Sequence, residues 1–256
     1  MPTKHLLICV HRGFKLNDML ADYTIPVTYS SKLGEDVHVP ATFRLELLDF
    51  IADQLPSWRD CPRREQATAE TILTSQLCNY LSGIARHSDG WDLLQFQVEA
   101  PDEQNKGRKI DLVAAPCGTT IWIDGRRHTD FDTLIPIECK RLPTPEGKRR
   151  DEREYVFSRH SSTGGIHRFK EGHHGAAHSL AGMIGYIQEN TAKHWHERIK
   201  GWISELVNSD EHGWASSDRL RMKSDDRKRR LAILCSRHER NQLPPIELRH
   251  LWLEMI

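Results

Sequence analysis

The sequence predicts an α/β fold, a mixed central β-sheet flanked by helices and preceded by an N-terminal extension. Three features point to it. A helical stripe of apolar residues covers about 64–84, three short strand patterns follow in succession, and helical then strand patterning runs from about 176 to the end. The resulting order is α-β-β-β-α-β-β, which suits helices packed on a sheet.

Residues 1–60 read as the extension. It holds a short strand candidate at 6–10, a stretch punctuated by Gly and Pro, and Phe43, Leu47, Phe50 or Ile51, and Leu55 at helical spacing. Pro56 and Pro62 mark a break before the domain proper, 61–256. The first helix of that domain places Ala69, Leu73, Leu77, Tyr80 and Ile84 on one stripe, and Gly83 with Ser88-Asp89-Gly90 closes it. Strands are expected at 91–99, 109–115 and 134–141, each bounded by Gly, Pro or Asp. A polar loop at 143–165 carries GKRRDERE. Residues 176–207 read as helical, broken near Asn190, with Trp195, Ile199, Trp202, Ile203 and Leu206 on one face. A basic linker, RLRMKSDDRKRR, leads to closing strands at 231–235 and 248–255.

Bulk properties narrow the function classes. The chain has 256 residues, 38% hydrophobic and 28% charged, enough to bury a sizeable core. No apolar run approaches the roughly 18 residues of a membrane span. The opening MPTKHLLICV meets HRGFK too soon for a secretory signal, so a cytoplasmic location and no membrane partner are expected. Six cysteines are scattered with no CxxC pair, which argues against a disulfide scaffold or a paired-cysteine zinc site. A formal net charge of zero rules out a polycation and leaves local basic patches open.

The stretch LIPIECKRL carries the chemistry. Side chains alternate faces along a strand, so Ile135, Ile137 and Cys139 point one way and Pro136, Glu138 and Lys140 the other. An acid and a lysine then project together with apolar residues behind them. RKIDLVAA repeats the pattern: Ile110, Leu112 and Ala114 share a face, and Asp111 emerges opposite. Consecutive strands are usually neighbours, which brings Asp111 and Glu138 together. Two carboxylates, with the backbone carbonyl of Cys139, suit a hard divalent cation such as Mg²⁺ or Mn²⁺. Such an ion activates water and neutralises charge on a phosphodiester under attack. Lys140 is placed to orient or help deprotonate that water and to stabilise developing charge. The Cys139 thiol is expected to face the core and be inert.

Asp111, followed by Glu138-Cys139-Lys140, resembles the signature of the PD-(D/E)xK nuclease superfamily, an acid on the second core strand and (D/E)-x-K on the third. The resemblance covers about residues 65–256. It implies a restriction-endonuclease-like core in α-β-β-β-α-β order and a Mg²⁺- or Mn²⁺-dependent endonuclease acting on DNA. It also implies a setting in restriction or anti-phage defence. Many members add an acid on the first helix, which here is Glu70 in ATAETILTSQL, implied as a fourth catalytic residue. Ile110 stands where the nominal motif has Pro, a replacement common in the family.

Plainer explanations accompany several of these residues. Glu70 at a helix start also complements the helix dipole. His174 and His178, with Glu171, have a zinc-site flavour without matching HExxH, and surface or substrate-contacting histidines explain them better. Gly182 and Gly185 are expected to let a helix pack closely on the sheet. Ser161 to Gly165, followed by Arg168 and Lys170, suits contact with a nucleic-acid backbone or a plain surface loop. Residues 219–230 hold seven Lys or Arg against two Asp, so Arg227, Lys228, Arg229 and Arg230 are candidate phosphate contacts, or simply a solvated linker. Residues 148–154, with four basic residues against three acids, are more balanced. The competing function is a non-catalytic nucleic-acid-binding or assembly subunit on the same fold. Specificity is expected from a second copy of the chain, a partner protein or the extension.

Overall fold

The computed structural model describes residues 42–123, 125–148, 150–159, 164–209 and 213–256. The strand candidate at 6–10 and the Ser161-Ser162-Thr163 run lie outside the described residues. Helices α1 (Thr42–Arg59) and α2 (Glu70–Ala85) come first, then β1 (Leu94–Pro101) and β2 (Lys109–Pro116). A small hairpin of β3 (Ile121–Ile123) and β4 (Arg126–His128) precedes β5 (Ile135–Leu142). The short helix α3 (Gly165–Lys170) leads to β6 (Leu180–Ile187) and α4 (Ala192–Asn208). Strands β7 (Arg221–Asp226), β8 (Leu231–Arg240) and β9 (Leu243–Glu254) close the chain.

Among the described residues seven strands form one mixed sheet in the order β1-β2-β5-β6-β9-β8-β7. β5, β6 and β9 run parallel, and the other pairings are antiparallel. The expected class, helices flanking a mixed sheet, is therefore the one observed. α1 and α2 set Leu47, Leu48, Ile51, Leu55, Leu73, Leu77 and Leu81 against one face of it, on Leu112, Ile137, Ile184 and Leu251. The opposite face carries Tyr155, Phe157, Phe169, Trp195, Ile199 and Trp202 on Met183 and Trp252. Each such fully buried side chain contributes about 1.5–3 kcal/mol. Among the described residues no helix is long and apolar enough to cross a membrane.

Several expectations are corrected. Residues 42–59, grouped with the extension on sequence, lie in the same core as the sheet. α2 begins at Glu70 rather than near 64, and its buried stripe is Leu73, Thr74, Leu77, Cys78, Leu81 and Ala85, rotated away from Tyr80 and Ile84. The largest correction concerns 176–207. Its first half is strand β6, and only the second half is helix, with the Trp195, Ile199, Trp202, Ile203 and Leu206 face buried as expected. LAGMIGYI is buried at every position, so neither a period of two nor of 3.6 shows in it. Gly182 and Gly185 belong to this strand. A Cβ at 185 would lie 2.6 Å from Cδ1 of Trp252, and one at 182 would lie 3.0 Å from Ile137 and Leu48, so large side chains on both faces use the space these glycines leave. The helix between β5 and β6 is consequently α3, and with the β3–β4 hairpin set aside the order from α2 to β6 is α-β-β-β-α-β. The linker at 219–230 is also structured: β7 and β8 pair across it, and Arg227, Lys228, Arg229 and Arg230 form their turn.

Candidate active site

The site grows from a divergence of two strands. β2 and β5 pair through Ala114↔Ile135, Val113↔Pro136 and Leu112↔Ile137, and the ladder stops there. Continuing the register by one step sets Asp111 opposite Glu138. β5 stays paired with β6 on its other edge as far as Leu142. Where β2 peels away, the N–H groups of Cys139 and Arg141 lose a backbone acceptor, and such donors must find another. Cys139 N–H donates to Asp111 Oδ2 at 2.9 Å, and Arg141 N–H donates to Glu70 Oε2 at 3.0 Å. Two of the carboxylates expected from the sequence thus satisfy the backbone that the divergence exposes. Glu70 is the first residue of α2 yet caps nothing on its own helix, so the dipole explanation does not account for where its carboxylate goes.

Lys140 occupies the centre. Its Nζ lies 3.0 Å from Glu138 Oε1, 3.1 Å from Glu70 Oε1, 3.3 Å from Asp111 Oδ2 and 2.8 Å from the Cys139 carbonyl. Burial alone would lower its pKa, but Glu138, Asp111 and Glu70 raise it well above the ordinary lysine value. With these carboxylates around it Lys140 is an ammonium, suited to positioning and charge stabilisation. All four residues expected in catalysis meet at this one point.

Glu138 is fully buried and heavily coordinated. Arg168 Nη1 and Lys140 engage Oε1, and His174 Nδ1 lies 3.0 Å from Oε2. Burial would raise its pKa, yet Lys140, His174 and Arg168 together hold it well below the usual carboxylate range. Asp111 behaves oppositely. Burial and the nearby Glu138 charge lift its pKa to about 6, only partly countered by Lys140 and the Cys139 N–H. The Cys139 thiol is buried against the α2 side, and burial raises its pKa strongly, in keeping with an inert side chain.

Sequence reasoning leaves His174 outside the site and gives Arg168 a different place. Arg168, expected to touch a nucleic-acid backbone, pairs with Glu138 in this structure. The loop bearing His174 is held from two sides, by Asp102 Oδ2 accepting Gly175 N–H at 3.0 Å and by Arg240 donating to the Gly175 carbonyl at 3.1 Å. His178 sits apart, 3.7 Å from Glu103. Lys170, also expected as a nucleic-acid contact, is only 5% exposed. It pairs with Asp218 at 3.1 Å beside the Trp214 ring, which takes it out of the surface.

Asp218 ends a buried chain of hydrogen bonds. Trp252 Nε1–H donates to Tyr155 Oη at 2.7 Å, and Tyr155 Oη lies 2.9 Å from His250 Nδ1. His250 Nε2 meets Ser236 Oγ at 2.8 Å, Ser236 meets His238 Nε2 at 2.7 Å, and His238 Nδ1 meets Asp218 Oδ1 at 2.7 Å. Indole can only donate and carboxylate can only accept, so full satisfaction points every proton from Trp252 towards Asp218. Both histidines are then neutral, in keeping with pKa values lowered by burial. Ser236-His238-Asp218 has the bonding pattern of a hydrolytic triad, but Ser236 is 1% exposed and its hydroxyl is shared with a second histidine. No substrate reaches it, and the chain is a structural tie beneath α3.

Among the described residues no group of three or more His, Cys, Asp or Glu side chains stands arranged to hold a metal ion, since the three carboxylates gather about the Lys140 ammonium. The oxygens that surround Nζ are nonetheless a hard donor set of carboxylates and a carbonyl, the kind a divalent cation takes. No protein-family model, no characterised protein and no solved structure matches this chain.

Proposed function

We propose that this protein is a divalent-metal-dependent endonuclease of the PD-(D/E)xK, restriction-endonuclease-like kind, hydrolysing phosphodiester bonds in DNA. The observation that carries the proposal is the convergence of Glu70, Asp111, Glu138 and the Cys139 carbonyl on Lys140, from three separate elements, where β2 and β5 part. The α-β-β-β-α-β order from α2 to β6 supports it.

Asp111, Glu138 and the Cys139 carbonyl would hold Mg²⁺ or Mn²⁺, with Glu70 alongside. Once bound, the ion would supply an activated water and charge neutralisation at phosphorus. Lys140, as an ammonium, would orient that water and stabilise charge on the phosphoryl oxygens. His174 would fix the direction in which Glu138 points. An assembly in restriction or anti-phage defence, with a partner or second copy supplying specificity, completes the proposal.

A plasmid-cleavage assay tests it. Wild type should cut with Mg²⁺ or Mn²⁺ and stop with EDTA. Lys140→Ala should lose about 10²-fold or more while still binding DNA. Cleavage by Lys140→Ala at the wild-type rate, or by wild type in EDTA, would disprove the assignment. Binding without cleavage by both proteins would leave a non-catalytic subunit.

A further inference from the structure

We propose that Arg168 is an exchangeable counter-ion of Glu138, displaced when a divalent cation loads and then free to grip a phosphate of the nucleic acid. This rests on the nuclease proposed above and assigns a substrate-binding residue to that site.

The bonding at Glu138 makes Arg168 the dispensable partner. Oε1 receives both Arg168 and Lys140, and Oε2 receives His174. If Arg168 leaves, each oxygen keeps one donor, so the buried carboxylate is never orphaned. Lys140 lies on the same strand as Glu138 and His174 is 3% exposed, so neither is as free to go. Arg168 differs from its neighbours on α3. Its side chain is 18% exposed, against 8% for His167 and 5% for Lys170. The backbone beneath it is fixed by Lys170 on Asp218 and by the N–H groups of His173 and His174 donating to the Arg168 carbonyl. The guanidinium can therefore reorient without moving the helix.

Charge supplies the driving force. The cluster sets three carboxylates, Glu70, Asp111 and Glu138, against two permanent cations, Lys140 and Arg168. With all three ionised, the cluster is one negative charge in excess. A divalent cation turns that into one positive charge in excess and competes with Arg168 for the same oxygens. A phosphodiester carries one negative charge, the amount then needed for neutrality. The planar fork of arginine matches two phosphate oxygens as it matches a carboxylate, so the same group can serve both partners in turn. A purely structural ion pair predicts the opposite response: removing Arg168 would loosen Glu138 and weaken cation binding.

The test is Mn²⁺ binding to the full chain without nucleic acid, read by electron paramagnetic resonance of the free ion. Arg168→Gln should bind Mn²⁺ about 3- to 10-fold more tightly, the scale expected for removing one partly buried competing charge. Arg168→Lys, which keeps the charge, should stay near wild type. The affinity of Arg168→Gln for a short duplex DNA in Ca²⁺ should fall. Unchanged or weaker Mn²⁺ binding by a folded Arg168→Gln overturns the proposal. If that variant does not fold, wild type decides: saturating Ca²⁺ must tighten DNA binding, and no effect overturns the exchange. Wild type that cuts with Mn²⁺ while Arg168→Gln shows no gain removes the exchange and leaves the nuclease standing. Wild type that neither binds Mn²⁺ nor cuts removes both.

Discussion

His174 Nδ1 lies 3.0 Å from Glu138 Oε2, in a place where neither group meets solvent. An ionised carboxylate can only accept, so the histidine donates and thereby sets which way the carboxylate points. Residues that orient a metal ligand in this manner typically change affinity or activity by about 10- to 100-fold when removed. His174→Ala should reduce cleavage and Mn²⁺ affinity on that scale. His174→Asn places an N–H donor the same number of bonds from Cβ and should recover much of the loss. Full activity in His174→Ala would show that Glu138 keeps its orientation without help.

The difference between His174 and Lys140 is also the difference between what the sequence displays and what it hides. Asp111, Glu138 and Lys140 sit on strands with one apolar face, so a period of two exposes them among their neighbours. Glu70 stands out only through the family resemblance, because its start-of-helix position alone carries no direction. Residues 165–178 have no period at all: α3 is six residues long and the rest is irregular backbone fixed by Asp102 and Arg240 from distant segments. β6 is hidden for another reason, because a strand covered on both faces reads like a buried helix. Lys170 looks like a surface cation because its partner Asp218 comes 48 residues later, across the fold. Long-range pairing of this kind leaves no local mark.

Ser236 offers a stability test of the buried chain. Its hydroxyl is the single link between His250 Nε2 and His238 Nε2, and all three groups are out of solvent. Ser236→Ala removes little volume but leaves two buried ring nitrogens without partners. The cost should be about 1–3 kcal/mol, read as a lower urea midpoint with the m-value unchanged. A drop of only a few tenths would mean that the ring nitrogens find new partners.

Acid should destabilise the protein through its buried histidines. Burial, then the charges of Arg44 and Arg126, depress His178 from 6.5 to about 4, and burial depresses His238 and His250 as well. A histidine with a lowered folded pKa binds its proton more readily when unfolded. Its contribution is thus intact above about 6.5 and declines as pH falls from there towards about 4. Asp111, raised to about 6, and Glu103, also raised by burial, act in the opposite direction over part of that range and partly offset the histidines. Urea midpoints measured across this window should drop with pH, and His178→Gln should flatten the slope. A midpoint independent of pH there would refute the burial argument.

The basic turn between β7 and β8 divides into two pairs with different expected effects. Arg227 is 82% exposed, with only a loose approach to Asp225 at 3.8 Å, and Lys228 is exposed beside it. Arg229 and Arg230 are committed to the fold. Arg229 donates to the carbonyl and carboxylate of Asp53 on α1 at 3.1 and 3.0 Å, and Arg230 donates to the Ile256 carbonyl. Binding a phosphate requires a cation free to leave its protein partners, and only the first pair meets that condition at no cost elsewhere. Arg227→Gln with Lys228→Gln should therefore weaken DNA binding at low salt and reduce the slope of log affinity against log salt by about 2, near 0.9 for each phosphate no longer neutralised. Thermal stability should barely change. Arg229→Gln should act the other way, loosening the turn from α1 by no more than about 1 kcal/mol for a partly exposed pair, with a small effect on the salt slope. An unchanged slope in the Arg227 and Lys228 double variant would make the turn a solvated surface feature.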